Sequence, residues 1–412
     1  MVARFPPRRQ VLAWSAALPL AGCARRTEPS AGGIVTITWY ASSMTSSHTD
    51  PRQSLIDAFQ KAHPRIRVKL VSAPTSTDED QEQLRYAIPR DLGPDVYLGD
   101  VVWPADFAKE RLALALDDHL PEDFWDRFDP ELVAAARSRN RTYAVPFYVN
   151  QAVLLYRRDL VPTPPDTWEE LAAQADGLVT AGRVKHGFVW QGDRYEGLTC
   201  VWTEFSRDAG AEDGLRISTE PSVAALTFMR SLLTSGASPA AVTGFREPQA
   251  LQSFEAGEAA FLRSWDSAYL SLAQTAAAGT LGVASLPSFA GRVRPGASTI
   301  GGWSLYVNPR TRHLPEVLTF LRWMTGVPAQ YTIAQYSIIP TNEIVRADPL
   351  VGDSPGIKAS VQARPVSRPS GRTGYLDLST VIFTAVHRAL TGEAEPRAAL
   401  TEAQRTIDRL TG

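Results

Sequence analysis

The sequence predicts an α/β protein with a largely parallel sheet, folded as interleaved lobes. Short β-rich runs alternate with amphipathic helical stretches from Ile34 onward, which is the pattern of successive βαβ units. The chain has 412 residues, enough at roughly 100–200 residues per domain for two or three globular units. No repeat and no low-complexity linker divides the body, so the lobes are expected to exchange segments rather than follow one another.

The elements follow in order. Ile34–Tyr40 reads as a strand, and Pro51 suits the first turn of a helix over Ser54–Ala62 that His63-Pro64 ends. Ile66–Val71 is a strand, Gln81–Ile88 a helix and Asp95–Leu98 a strand. Two further strands are expected, at Tyr143–Val149 and Ala152–Tyr156. Thr167-Trp168-Glu169-Glu170 is a capping box that opens a helix running to Ala181. Helices are also signalled by Thr219-Glu220-Pro221 before a periodic run to Leu233, by Pro248 before Ala250–Ala256, by Leu314–Met324 and by Pro396–Leu410. Leu281–Leu286 reads as a strand.

Residues 1–22 are an address and not part of the fold. Arg4, Arg8 and Arg9 precede an apolar stretch from Val11 to Leu20, followed by Leu20-Ala21-Gly22-Cys23. That order predicts a secretory signal peptide ending in a lipobox, with Cys23 as the lipidation site because its thiol is the acylated nucleophile. Arg8-Arg9 also resembles a twin-arginine export motif. Residues 23–33, small, polar and Gly/Pro-containing, form a lipidated tether, which places the protein at the outer face of the cytoplasmic membrane.

Charge and composition narrow the function. The formal charge is −2, with 42 Lys+Arg against 44 Asp+Glu and no basic block in the body, so there is no electrostatic footprint for nucleic acid. Loss of the signal removes three Arg and leaves the body mildly acidic. Two Cys rule out a disulfide-built scaffold, and Cys200 is expected on an apolar helix face. The six His are not spaced as zinc ligands on a helix, so no metal is predicted. A phosphate loop, a G-x-G-x-x-G fingerprint and a G-x-S-x-G elbow are all absent, and no cofactor is predicted. Paired carboxylates can come from any two places in a chain, so a glycoside hydrolase stands as the alternative reading.

Aromatic and hydrogen-bonding residues coincide repeatedly at predicted strand ends. Examples are Tyr40-Ala41-Ser42-Ser43, Asp100-Val101-Val102-Trp103, Tyr148-Val149-Asn150-Gln151, Trp190-Gln191-Gly192-Asp193, Tyr195-Glu196, Trp265-Asp266 and Gly302-Trp303. In open α/β sheets, ligands bind beyond the carboxyl ends of strands, so these positions can converge on one crevice. A sugar suits them: its C–H faces pack on aromatic rings and its hydroxyl rim needs carboxylate, amide or guanidinium partners. Taken singly, each such residue reads equally well as half-buried core, turn or cap.

With these motifs in hand, the sequence resembles the extracellular solute-binding proteins of ABC sugar importers, and most closely their trehalose/maltose-binding lipoproteins. The resemblance spans nearly all of the chain after the signal. It is carried by the lipobox, Gly93-Pro94-Asp95-Val96-Tyr97-Leu98-Gly99-Asp100, Tyr143-Ala144-Val145-Pro146-Phe147-Tyr148, His186-Gly187-Phe188-Val189-Trp190-Gln191-Gly192, Tyr195-Glu196-Gly197-Leu198, Gly301-Gly302-Trp303 and Ala363-Arg364-Pro365. It implies a periplasmic-binding-protein-like fold, two α/β lobes joined by a three-segment hinge. The crossings are expected near Tyr148–Ala152, Gly282–Pro287 and Thr325–Pro328, so that 34–149 with 287–326 form one lobe and 150–286 with 327–412 the other.

The same resemblance implies function and site. Asp100 looks like a carboxylate that accepts sugar hydroxyls, and Ser43 stands near where relatives place an acidic contact. Asn150 is often Asp in relatives, and Asp266 is often Pro. Glu196 is a further acceptor, Trp265 and Trp303 are ring platforms, Gly302 offers a close N–H, and Arg364 is the guanidinium that forks onto hydroxyls. The implied activity is capture, without catalysis, of a neutral di- or oligosaccharide by a monomer that closes on it and delivers it to permease subunits with a cytoplasmic ATPase. A glycerophosphodiester is the alternative ligand.

Overall fold

The computed structural model of the protein describes residues 33–45, 50–74 and 76–411. The expected signal peptide, Cys23 and the tether up to residue 32 lie outside the described residues. No helix among the described residues is long and apolar enough to cross a membrane.

The strands are β1 (Val35–Ala41), β2 (Ile66–Ser72), β3 (Val96–Asp100), a small hairpin of β4 (Arg137–Ser138) and β5 (Arg141–Thr142), β6 (Val145–Arg157), β7 (His186–Val189), β8 (Ala259–Trp265), β9 (Leu281–Ala284), β10 (Ala297–Val307), β11 (Ile339–Pro340) and β12 (Arg364–Val366). All but the hairpin join one sheet of order β2-β1-β3-β10-β6-β8-β7, with β9 and β11 on β6 and β12 on β10. Pairing is parallel within β2-β1-β3 and between β7 and β8, as βαβ connections require. It is antiparallel wherever β6 or β10 takes part with β3, β8 or β9. The sheet is therefore mixed, because these two long strands run through its middle in opposite directions.

The two strands expected at Tyr143–Val149 and Ala152–Tyr156 are one strand. The polar pair Asn150-Gln151 looked like a break, but its backbone stays in register with Gly301 and Ile300 of β10. Most helices begin and end where the capping chemistry indicated. Pro51–Ala62 has Asp50 as its N-cap and Pro in its first turn, and Trp168–Thr180 carries the full Thr167/Glu170 capping box.

Separate apolar cores flank the two ends of the long strands. One gathers Ile37, Trp39, Phe59, Leu98, Phe147, Leu305, Val317 and Phe320. The other gathers Leu154, Trp168, Phe188, Phe205, Phe261, Leu378 and Leu400. Burying each such large side chain contributes about 2 kcal/mol. A third cluster, around the stacked rings of Tyr97 and Tyr306, lies on the other face of β3 and includes Tyr375.

β6 passes from the first core to the second between Tyr148 and Ala152. The return is not at Gly282–Pro287: Leu281 and Leu286 still pack in the second core, and Ala297–Thr299 pair with β12. The chain crosses back within β10, where Ile300–Gly302 oppose Gln151–Val149 and Leu305 enters the first core. The third passage also comes later than Thr325–Pro328, since Ala329, Ile333 and Ile338 belong to the first core and Ala359 to the second.

Candidate functional site

β1 and β3 are parallel and end side by side at Ala41 and Asp100, so the residues at and beyond their carboxyl ends open into one cleft. The opposite wall comes from the end of β8, the loop before helix Glu196–Ala209 and the start of helix Glu247–Glu255. β6 and β10 form the floor. The cavity measures about 740 Å³ and is lined by Ser43, Asp100, Asn150, Glu196, Trp265, Gly302 and Trp303, among others. Of the eight residues expected to contact the ligand, Arg364 alone is not among the residues that line it.

The floor is shaped by glycine. Gly302 has φ +138°, and a Cβ there would lie 2.6 Å from the Tyr148 carbonyl oxygen, a conformation and a spacing open to glycine alone. A bulge between Trp303 and Ser304 follows. On the other side of β10, Trp303 stands opposite Asp100 in an unbroken β3–β10 register, with its indole edge-on to buried Trp103. Ser43 is exposed at the mouth, its Oγ 3.0 Å from Asp50 Oδ2 and 2.7 Å from the Thr45 carbonyl oxygen.

Trp265 is held on several sides. Its ring lies over the Arg263 guanidinium, 4.3 Å from carbon to centroid. Its Nε1 donates to Glu247 Oε1 at 3.2 Å, and the Tyr195 hydroxyl donates to Glu247 Oε2 at 2.7 Å. Arg263 is itself fully buried, with both ends of its fork on Glu204 and Nη1 on Gln191 Oε1. Burial disfavours that charge, but Glu204 more than offsets it and holds the guanidinium above its ordinary pKa. An indole clamped in this way offers a flat apolar surface with little entropy left to lose.

At the deep end, Arg368 joins the two walls. Nη2 donates to Asp100 Oδ1 at 2.7 Å, while Nη1 donates to Asp100 Oδ2 at 3.0 Å and to Glu196 Oε1 at 2.8 Å. The Tyr375 and Ser379 hydroxyls also donate to Glu196. Burial pushes the Glu196 carboxyl up, and Arg368 pulls against it. Asp193 and Arg246 pair at 2.6 Å nearer the mouth. Four carboxylates, of Asp100, Asp193, Glu196 and Glu247, face two guanidinium groups, so the cleft carries an acidic excess.

The expected cleft guanidinium, Arg364, is elsewhere because β12 pairs with β10 in the second half, with Arg364 beside Ala297. Its Nη2 donates to buried Asp208 Oδ1 at 2.8 Å. Four positions later the chain has entered the cleft, and Arg368 of the second Arg-Pro pair fills the place. Arg368, Arg246 and Glu247 were missed. The repeated Arg-Pro and the Glu247-Pro248 helix start were the available signals.

Cys200 lines the cavity, but burial pushes its thiol well up, which disfavours a nucleophilic thiolate. Among the described residues no group of three or more His, Cys, Asp or Glu could hold a metal ion.

Comparison with known proteins fits this geometry. The family described as bacterial extracellular solute-binding protein matches residues 45–331. A probable ABC transporter-binding protein of Deinococcus radiodurans is 30% identical over 374 residues, covering 84% of this chain and 87% of that protein. The maltose-bound structure of MalE3 from T. maritima superposes with a TM-score of 0.83 at 29% identity, covering 91% of this chain and all of that one. The GacH receptor of Streptomyces glaucescens, solved unliganded and with acarbose, has a TM-score of 0.81 at 24% identity over 92% of this chain and 98% of its own, a likeness of fold.

Proposed function

Because the chain belongs to the bacterial extracellular solute-binding proteins, we propose that it is the lipid-anchored receptor of an ABC importer for a neutral di- or oligosaccharide of the maltose or trehalose kind. As a member of that family it is a binding component of transport and not an enzyme. The observation that carries the ligand class is the cleft itself: two tryptophans, Trp265 and Trp303, line a cavity together with Asp100, Asn150, Glu196 and Glu247. Rings stack on the sugar's C–H faces while the acceptors take its hydroxyls. Ser43 and the Gly302 backbone add polar contacts at the mouth and floor. The maltose bound by the similar T. maritima protein supports the same class.

The acidic excess also bears on the alternative glycerophosphodiester. Arg368 is already engaged by two carboxylates and Arg246 by Asp193, which leaves a phosphate repelled by Glu247 and without a free guanidinium. Capture proceeds by hinge closure of the two halves, so the sugar binds the closed form better than the open one. A monomer tethered through Cys23 then presents the closed form to permease subunits powered by a cytoplasmic ATPase. Support for the tether is the Leu20–Cys23 lipobox.

Calorimetry against maltose, trehalose, sucrose and a glycerophosphodiester tests this reading. Saturable binding of a neutral sugar with no glucose released on prolonged incubation is expected. Binding of the phosphodiester alone would overturn the ligand class, and release of glucose would overturn the transport role.

A further inference from the structure

Asn150 lines the cavity floor, and its side-chain nitrogen is taken up by a neighbour. Its Nδ2 donates to Asp266 Oδ1 at 2.8 Å. Asp266 is completely buried and fixed from three directions. Its backbone N–H donates to the Gln151 carbonyl at 3.0 Å, which ties it to the residue next to Asn150. The Ser267 N–H donates to the same Oδ1 at 3.0 Å. Oδ2 has no partner. Oδ1 is thus an acceptor whichever way the carboxyl is protonated on Oδ2, and burial holds that proton on, with the pKa pushed up to about 8.

We propose that Asp266 is a positioning residue that sets the specificity of the cleft: by binding the Asn150 amide nitrogen it leaves Asn150 Oδ1 as the atom facing the ligand. An asparagine that could present either a donor or an acceptor is held with its carbonyl oxygen towards the ligand, as a carboxylate would be, but without a negative charge beside the neutral, buried carboxyl of Asp266. The ligand group that meets the floor at Asn150 must then be a donor, a free hydroxyl. A group that only accepts, such as a ring oxygen or a methyl ether, meets lone pairs instead and is rejected. The inference rests on the proposed reading of Asn150 as a sugar contact.

The test is a pair of variants. Asp266→Leu offers the Asn150 amide no acceptor, so that amide is free to turn over and point its NH₂ into the cleft. Maltose affinity is expected to fall by roughly tenfold, the worth of one well-placed hydrogen bond. Asp266→Asn keeps a carbonyl oxygen in the place of Oδ1, where it still accepts from Asn150 and Ser267. Affinity is expected to stay within about threefold of the original. If Asp266→Leu binds like the original, or if Asp266→Asn is as weak as Asp266→Leu with the melting temperature preserved, the proposal fails.

A readout without sugar separates this from the functional reading. The Asn150 side-chain NH₂ should appear by NMR as a slowly exchanging pair in the original protein and as a solvent-exchanging pair in Asp266→Leu. Exchange that is fast in both would overturn the positioning role. Protected NH₂ protons in a protein that binds none of the sugars would instead overturn only the assigned ligand.

Discussion

The Arg368 guanidinium holds both oxygens of Asp100, at 2.7 and 3.0 Å, and reaches Glu196 from the opposite wall at 2.8 Å with the same Nη1. All three side chains are less than a tenth exposed. Removing one partner of a buried ion pair leaves uncompensated charge and costs about 3–5 kcal/mol. Arg368→Met is therefore expected to lower the melting temperature and to separate the two halves in the sugar-free protein, where two carboxylates would face each other without a cation. Small-angle scattering checks the second point, and an unchanged radius of gyration together with unchanged stability would refute it.

Arg364 and Arg368 differ in role although four residues apart. Arg364→Ala removes one of three groups that satisfy Asp208, the others being Trp168 Nε1 at 2.9 Å and the Ala297 N–H at 3.2 Å. The expected loss is about 1–3 kcal/mol of stability, with sugar affinity unchanged. Chemical denaturation and calorimetry read the two effects separately. A large loss of affinity at unchanged stability would return Arg364 to the cleft.

Asp266 and Asp80 are both fully buried carboxyls pushed up to about 8 by burial. The unfolded chain gives up these protons near pH 4, while the folded one keeps them until about pH 8. Their contribution to stability is thus complete below pH 4 and lost as pH rises to 8, by at most about 1.4 kcal/mol per pH unit for each group. Asp266→Asn removes one of the two titrations. The stability of the variant relative to the original is expected to increase steadily between pH 5 and 8 and then level off, which thermal melts across that range would reveal.

Gly302→Ala places a Cβ 2.6 Å from the Tyr148 carbonyl at φ +138°. The floor must shift where β6 and β10 cross between the cores. A destabilisation of about 1–3 kcal/mol is expected, with weaker sugar binding because Trp303 is the next residue. Denaturant titration checks the first effect and calorimetry the second.

Local chemistry was legible in the sequence wherever a short-range signal decided the structure. The Thr167/Glu170 box, Pro51 and the apolar period of Leu314–Met324 each placed a helix within a few residues. Long-range pairing was not legible. Asn150-Gln151 read as a gap between strands because the hydrophobic run stops there, yet the sheet continues through it and the polar residues form the cleft floor. Arg364 and Arg368 both sit in Arg-Pro pairs, and only the pairing of β12 with β10 decides which reaches the cleft. Asn150 and Asp266 stood out separately as departures from the family pattern, and contact over 116 positions explains them together.

The most direct test of the account is a calorimetric titration of maltose into the protein and into its Trp303→Ala variant. Saturable binding at one site, weakened at least about tenfold by loss of the indole platform, is the predicted result. Equal affinity in both proteins, or no binding of maltose and its neutral relatives to either, would contradict it.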